Sequence, residues 1–550
     1  MKLEGIRNPC VAWFVGLAFL LVPFLLAGCS DDGGGESAGP HEGETFLDVA
    51  REIADTWIQR VKPEQNDWSW GDGVLMFGMS ELARRTGSAT YQGYMQSWMD
   101  HHIQQGYYFA FSDNCPSGIS AVRLFEETGE ARYREVMDRV WYYLQHVAGR
   151  TSDNGLNHMG FMSGSQLWVD SLFMFGVYLS EMSRLLQDTV YWEELAEQIR
   201  VFSKHLRNEE NGLFLHMWDD DDKRRVPEGD STFWARGNAW VFVALAEFLA
   251  SLPDESSLRQ EFLPSFTKMA ETLAELQPSS GLWHTVLYDV ETYQETSASA
   301  LLAYGYQKAM RLGILDATYG AVVQKTLTGL QSRLYRGCQG GLIVTGTSHG
   351  TNPGDRDHYA GITVGDQVPY GVGALLLATV ELGNESVQGW IPEESECPEI
   401  PEEPESAEEY LTRAVYRLGI ADLEGAQEDF QAMTRLDPNR GEGYAGEALL
   451  EAFFTGFEVF DGFTRYTIDE MSWSEFQEII REETLPRVDR IRQKLLMARQ
   501  DRGLLLHIPV LQINRRGLYT PIPDLRFDSR SLGGILLLLG LVETVFDVLS

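Results

Sequence analysis

Four related phrases recur at joints between apolar-periodic stretches: "RRTGSATYQGYM", "EETGEARYREVM", "LLQDTVYWEELA" and "RLGILDATYGAV". They set Tyr91, Tyr133, Tyr191 and Tyr319 in equivalent places. A phrase that ends one helix and opens the next, used repeatedly, confines the chain to stacked helical hairpins, because a single hairpin cannot bury its own apolar face. Tyr91 and Tyr133 stand 42 residues apart, the length of two helices with their loops, and the later intervals are longer multiples. Apolar periodicity predicts helices over 45–62, 72–87, 89–104, 114–128, 131–148, 165–186, 189–207, 231–251, 257–276, 294–312, 317–335 and 366–382, while alternating β-branched runs are almost absent. That is an all-α fold of six hairpins. One set of loops is short and carries the repeated tags; the other is long and rich in Trp, His, Asp and Gly. The expectation is therefore a closed double ring with one plain face and one functional face.

At 550 residues the chain has room for more than this domain. Lys2 and Arg7 precede "VAWFVGLAFLLVPFLLAGC", which reads as a secretory signal over 1–28. Its end, "LLAGC", resembles the lipobox at which a bacterial signal is cut before a cysteine that becomes acylated, here Cys29. Residues 29–44 then form a flexible tether, and the expected setting is a cell-envelope lipoprotein, with Ser30 compatible with outer-membrane sorting. The hairpin domain covers 45–383, and "NESVQGWIPEESECPEIPEEPESAEEY" marks a Glu- and Pro-rich linker over 384–405. Residues 406–550 are expected to be helical. Within them Ala426, Phe430 and Pro438 have the spacing of one tetratricopeptide hairpin, although Gly419 lies two residues too far upstream. A lone repeat must pack on its neighbours or on the helices that follow, and this region is a candidate surface for a protein partner. The final "LGGILLLLGLVETVFDVLS" reads as a buried or membrane-surface helix, too short and too acidic to span.

A formal charge of −37 argues against nucleic acid as a partner, and means that an anionic substrate must be drawn in by a local basic pocket. With Cys10 in the signal and Cys29 lipidated, Cys115, Cys338 and Cys397 remain. They match no zinc spacing, and their pairing stays open.

The long loops hold the candidate chemistry. Asp113, in "YYFAFSDNCPSG", stands at a helix start, where it is either a plain N-cap or a functional carboxyl. Asp170, in "NHMGFMSGSQLWVDSLFMFGVYL", lies in an apolar stretch beside Trp168. A lone carboxyl there is costly to bury, so it is either paired for structure or held protonated for proton transfer; His158 and Gln166 nearby favour the second. "GLFLHMWDDDDKRRVPEGDSTFWARGNAW" adds His216, Trp234, Arg236 and Trp240 around a helix N-terminus. Free N–H groups, a cationic fork and flat aromatic faces there either suit a carboxylate-bearing sugar or form a Trp-rich core cluster with a stacked Arg; the other long loops favour the first. Asp219 to Asp222 lack the spacing of a calcium loop and read as a solvated charged loop, and "GTSHG" lacks the strand and helix of a serine-hydrolase elbow. His101 and His102 face different ways on a helix and form no metal pair; no metal or cofactor site is expected.

"LWVDSLFM", "FWARGNAW", "GLWHTVLYDVETYQETSASALLAYGYQKAMRLGIL" and "GTSHGTNPGDRDHYAGITVGDQVPYGVGALLLATVELG", in that order, resemble the signatures of the unsaturated glucuronyl and rhamnogalacturonyl hydrolases of glycoside hydrolase families 88 and 105. The resemblance runs from about residue 45 to 383 and implies an (α/α)6 barrel. It implies removal of a 4,5-unsaturated uronic acid from lyase-derived oligosaccharides by hydration of the vinyl ether, with no cofactor. Asp170 then matches the general acid/base and Asp113 the neighbouring aspartate. Trp168, His158, Gln166, His216, Trp234, Arg236 and Trp240 match pocket positions, with Arg236 a candidate for the uronate carboxylate. Asn238 is common in family 105, whereas Ala239 stands where that family often has Gly, so the family and the polysaccharide stay open. A catalytically silent carbohydrate-binding or scaffold lipoprotein is the alternative.

Overall fold

The structure is a computed structural model. It describes residues 44–528 apart from 161–163, 230, 337–340, 388–389, 391–399, 420–421, 468–471, 502–503 and 514–519. The signal, Cys29, the tether, Cys338, Cys397, most of the linker and the last 22 residues lie outside the described set. Contacts divide the chain into two compact units, one through the described residues up to Trp390 and one from Ile400 onward.

Six inner helices line the first unit: Trp70–Thr86, Ser117–Thr128, Ser171–Met174 continued by Gly176–Leu186, Ala235–Ser251, Thr296–Arg311 and Pro369–Leu382. Each packs on the next and the last packs on the first, so the ring is closed. Six outer helices alternate with them, from Phe46–Arg60 to Gly320–Gln331. The closing seam is tight. A Cβ on Gly373 would stand 2.6 Å from the Val74 carbonyl oxygen, and one on Gly78 2.8 Å from that of Gly373, so the first and last inner helices meet backbone to backbone. A bridge between Thr45 and Ser386 ties the ends of the unit together.

The repeated tags have a physical basis. Each places a left-handed residue after a helix: Gly87, Gly129, Gln187 and Gly313. The tag tyrosines then reach an earlier helix. Tyr91 donates to Asp55 at 3.0 Å, Tyr133 donates to Asp100 at 2.9 Å, Tyr191 packs on Trp141, and Tyr319 stacks on Tyr306. At the tag end, each inner helix contributes a charged side chain to an interior layer. Arg123 joins Glu81 at 2.7 Å and Glu181 at 2.8 Å, Lys308 joins Glu247 at 2.6 Å, and Arg311 joins Glu381. The opposite end is where the inner helices begin.

The predicted helices are all present, with several starts and ends shifted by a few residues; the one predicted from 366 begins at Pro369, and the one predicted to 148 passes into a π turn at Tyr143. The stretch predicted as a helix from 165 opens instead with the strand Gln166–Trp168, which pairs with Met217–Asp219, itself paired with Arg224–Val226. Asp170 consequently lies in the turn before the helix and not inside it. The helices predicted from 114 and 231 begin at Ser117 and Ala235, and the one predicted to 335 ends at Gln331 before the strand Leu334–Arg336.

In the second unit, Ala407–Gly419 and Leu423–Leu436 form the tetratricopeptide-like hairpin, with Ala426 and Phe430 fully buried. Phe430 lies against Gly446 of the following helix, Gly441–Thr467, so the lone repeat buries its face on the chain that succeeds it. The expectation of a wholly helical region needs correction: Leu505–Ile513 and Thr520–Asp528 form an antiparallel β-hairpin. Pro521 and Pro523 obscured the second strand. Two residues apart on a two-stranded ribbon, both can occupy positions whose N–H would point away from the partner strand. Among the described residues, no helix is long and apolar enough to cross a membrane.

Candidate active site

The N-terminal ends of the inner helices surround a cavity whose walls are largely tryptophan: Trp70, Trp168, Trp234 and Trp240. Trp70 meets Trp240 edge-on at 6.3 Å, and Phe173 buttresses Trp240 at 4.5 Å. Converging helix ends bring the positive poles of several backbone dipoles to one place, which favours an anion there despite the acidic chain.

Asp113 and Asp170 both line this cavity, and each keeps an enclosed Oδ1 with no hydrogen-bond partner among the described residues. Asp113 does not act as a plain N-cap. It occupies the turn Ser112–Asn114 ahead of the helix, where Asn114, not Asp113, accepts the Ala110 N–H at 3.1 Å. Asp170 is 8% exposed, and burial pushes its carboxyl up to about 7 even though Arg236 and backbone N–H groups favour the charged form. Burial, and then the neighbouring Asp170 charge, hold Asp113 well above the usual carboxylate range. Near neutral pH the pair therefore retains a proton while one member can ionise, as a donor that must later act as a base requires.

The remaining expected residues fall in two ranks. Trp168, Trp234, Arg236 and Trp240 line the cavity; His158, Gln166 and His216 stand behind its walls. His158 stacks on Trp168 at 4.1 Å with rings 4° from parallel, its Nε2 is 3.9 Å from Asp113 Oδ1, and its Nδ1 lies 2.9 Å from Ser171 Oγ. Burial lowers its pKa to about 3, so it is neutral and not an ion-pair partner. Gln166 accepts the Trp168 Nε1–H at 3.0 Å and donates to Asp219 at 3.2 Å. His216 stacks on Trp234 at 4.3 Å.

Arg236 is placed differently from the expectation. Its guanidinium is sandwiched between Trp234 and Tyr370, donates to Ser348 O at 2.9 Å, His349 O at 2.8 Å and Thr351 Oγ1 at 2.9 Å, and stands 3.7 Å from Glu295, which is fully buried. Both ends of the fork are thus engaged by one loop. Glu295 accepts the Ser348 N–H at 2.8 Å and caps the helix Thr296–Arg311. Together they hold Gly350, Thr351 and Asn352 as a wall of the cavity.

That wall, Trp70 and Met174 were not singled out by sequence reasoning. Trp70 had a signal: "DWSWGDG" sets tryptophans at a helix start as "FWARGNAW" does. "GTSHG" is indeed no nucleophile elbow, since Ser348 is fully buried with its hydroxyl 2.8 Å from that of Tyr293. The acidic run also needs correction. Asp219, the last residue of its strand, and Asp220, in the turn that follows, are buried and bonded to Gln166 and to Ser152 and Lys223 respectively; Asp221 and Asp222 are the more exposed pair. Among the described residues no group of three or more His, Cys, Asp or Glu is placed to hold a metal, and Cys115 is a buried free thiol.

The sequence model of glycosyl hydrolase family 88 matches residues 49–384, the whole of the barrel and its site. The chain belongs to this family. The family 88 chain is 25% identical over 282 residues to the unsaturated rhamnogalacturonyl hydrolase YesR of Bacillus subtilis (strain 168), a match covering 50% of this chain and 79% of that one. It is 27% identical over 222 residues to an unsaturated 3S-rhamnoglycuronyl hydrolase of Alteromonas sp. (strain LOR), covering 39% and 50%. The crystal structure of a possible GH105 family member from Klebsiella pneumoniae subsp. pneumoniae MGH 78578 superposes with a TM-score of 0.56 at 25% identity, covering 64% of the family 88 chain and 98% of its own. The six-hairpin (α/α) barrel is common to these relatives, and the family 88 chain is a glycosidase.

Proposed function

We infer that the barrel removes a 4,5-unsaturated uronic acid from the end of an oligosaccharide by hydrating its vinyl ether. The observation that carries this reading is the pair Asp113 and Asp170, each with an enclosed, unpartnered oxygen, in a cavity walled by four tryptophans. In the proposed course, Asp170 gives its proton to C4, and water adds at C5 while returning a proton to the same carboxylate. The hemiketal so formed opens and releases the aglycone, leaving Asp170 as it began. The names of the relatives favour a rhamnose-bearing aglycone over an amino sugar. The test is to follow the ultraviolet absorbance of the C4=C5 bond in unsaturated disaccharides made by pectin, ulvan and glycosaminoglycan lyases. Loss of absorbance with the parent but not with Asp170→Asn supports the reading; binding without any loss of absorbance overturns it in favour of a sugar receptor.

We also propose that the chain is held at a membrane by lipid on Cys29, on the strength of "LLAGC" and the tether after it. Labelled fatty acid should enter the parent and not Cys29→Ser; equal labelling of both removes the anchor. The tetratricopeptide-like hairpin is proposed to dock a protein partner. In-cell crosslinking of the full chain that yields no specific adduct, or one unchanged by Leu436→Arg on its exposed side, removes that role.

A further inference from the structure

Tyr359 touches neither carboxyl of the pair, yet it joins two parts of the site. It belongs to the short helix Arg356–Ala360, is fully buried, and brings its hydroxyl 3.0 Å from His216 Nδ1 and 3.2 Å from the Gly354 N–H. The Gly354 amide can only donate, so it uses a lone pair of the phenol oxygen. The phenol proton then needs an acceptor, since a buried hydroxyl without one is costly. His216 Nδ1 is the acceptor in reach. An imidazole that accepts at Nδ1 carries its proton on Nε2. His216 Nε2 is enclosed and has no partner among the described residues. The ring is held flat against Trp234 at 4.3 Å, and its backbone carbonyl accepts the Val169 N–H at 2.8 Å, one residue from Asp170.

We propose that Tyr359 is a positioning residue that fixes His216 as the neutral Nε2–H tautomer behind the cavity wall, and through the stack on Trp234 sets the aromatic face that Trp234 presents to the cavity. The Gly354 bond couples that setting to the loop whose Gly350, Thr351 and Asn352 wall the cavity: the phenol proton points to His216 because the loop amide occupies the other side of the oxygen. A misplaced loop thereby frees the phenol proton to turn elsewhere and lets the imidazole take the other tautomer behind Trp234, loosening the face on which the sugar rests. The consequence for substrate rests on the uronyl-hydrolase reading; the tautomer does not.

The test uses the full chain labelled with 15N-histidine, with His216 assigned by its disappearance in His216→Gln. The parent should show a proton bonded to Nε2 and a bare Nδ1. Tyr359→Phe should lose that single form, and kcat/KM on an unsaturated disaccharide should fall about tenfold, the size of one hydrogen bond in a buried setting, with KM changed less than kcat. A parent with its proton on Nδ1 overturns the proposal even if Tyr359→Phe fails to fold. An unchanged His216 spectrum and unchanged kcat/KM in a folded Tyr359→Phe overturn it as well. An Nε2–H parent that leaves the vinyl absorbance of every disaccharide intact supports the tautomer and overturns only the assigned reaction, so the two failures are distinguishable.

Discussion

Replacing Arg236 by Lys preserves a cation and removes the fork, and it separates two uses of the same side chain. The guanidinium makes three hydrogen bonds to the loop at Ser348, His349 and Thr351. A lysine ammonium can recover one of them, and two bonds to a charged donor are worth about 1.5–3 kcal/mol each. Water at the cavity wall can satisfy part of the loss, so the low end, about 3 kcal/mol, is the expected destabilisation of the loop. If that loss is felt globally, a domain of roughly 340 residues at about 2.1 cal/mol/K per residue loses about 4 °C in Tm. If the loop opens locally, the amides of Ser348 and His349, bonded to Glu295 and the Thr363 carbonyl, exchange with solvent faster by about a hundredfold. Hydrogen exchange read by mass spectrometry over 345–355, with a thermal melt and steady-state kinetics, covers both cases. Unchanged melting and exchange in Arg236→Lys, with a raised KM alone, would refute the loop-clamp reasoning and return the fork to the substrate's carboxylate.

Four further outcomes follow from three particular groups. Asp170→Asn should lower kcat by roughly a hundredfold to ten-thousandfold, the usual share of a general acid, with binding of the disaccharide retained by calorimetry. Because the donor is the protonated form and its pKa is about 7, kcat/KM should fall as pH rises above about 7; a profile still rising at pH 9 would contradict that assignment. Asp72 is buried, accepts from Ser69, and is pushed up to about 8 by burial. The folded chain therefore keeps a proton that the unfolded chain releases near pH 4, and stability is lost as pH rises from about 4 to 8. Asp72→Asn should then be more stable than the parent at pH 9 by about 3 kcal/mol, half of the full linkage value, and nearly equal at pH 4. Lys308→Met strands the buried Glu247 carboxylate and should cost about 3–5 kcal/mol in denaturant unfolding.

The parts of this molecule that could be read from sequence are those fixed locally. Gly87, Gly129 and Gly313 end helices because their own backbone turns left-handed, so the hairpin repeat was legible in the tags, and its count in the apolar periodicity between them; Gln187 does the same at some steric cost. Asp170 and Trp168 stood out because a carboxyl among apolar residues needs a reason. Thr351 and Asn352 did not, since their place at the cavity depends on Arg236 reaching across more than a hundred residues. The strand Gln166–Trp168 was equally hidden: three residues carry no period of their own, and its partner lies some fifty residues further on. Proximity to the helix start correctly grouped Trp234, Arg236 and Trp240, but the partner that engages the fork was not local.

The layer of ion pairs at the tag end of the barrel ties the inner helices to one another at the end farthest from the site. Arg123, Glu181 and Glu247 are buried, and separating the helices that carry them would leave unpaired charge in an apolar interior. A displacement of one inner helix is therefore resisted by its neighbours, and the ring that presents the site is held shut from its opposite end.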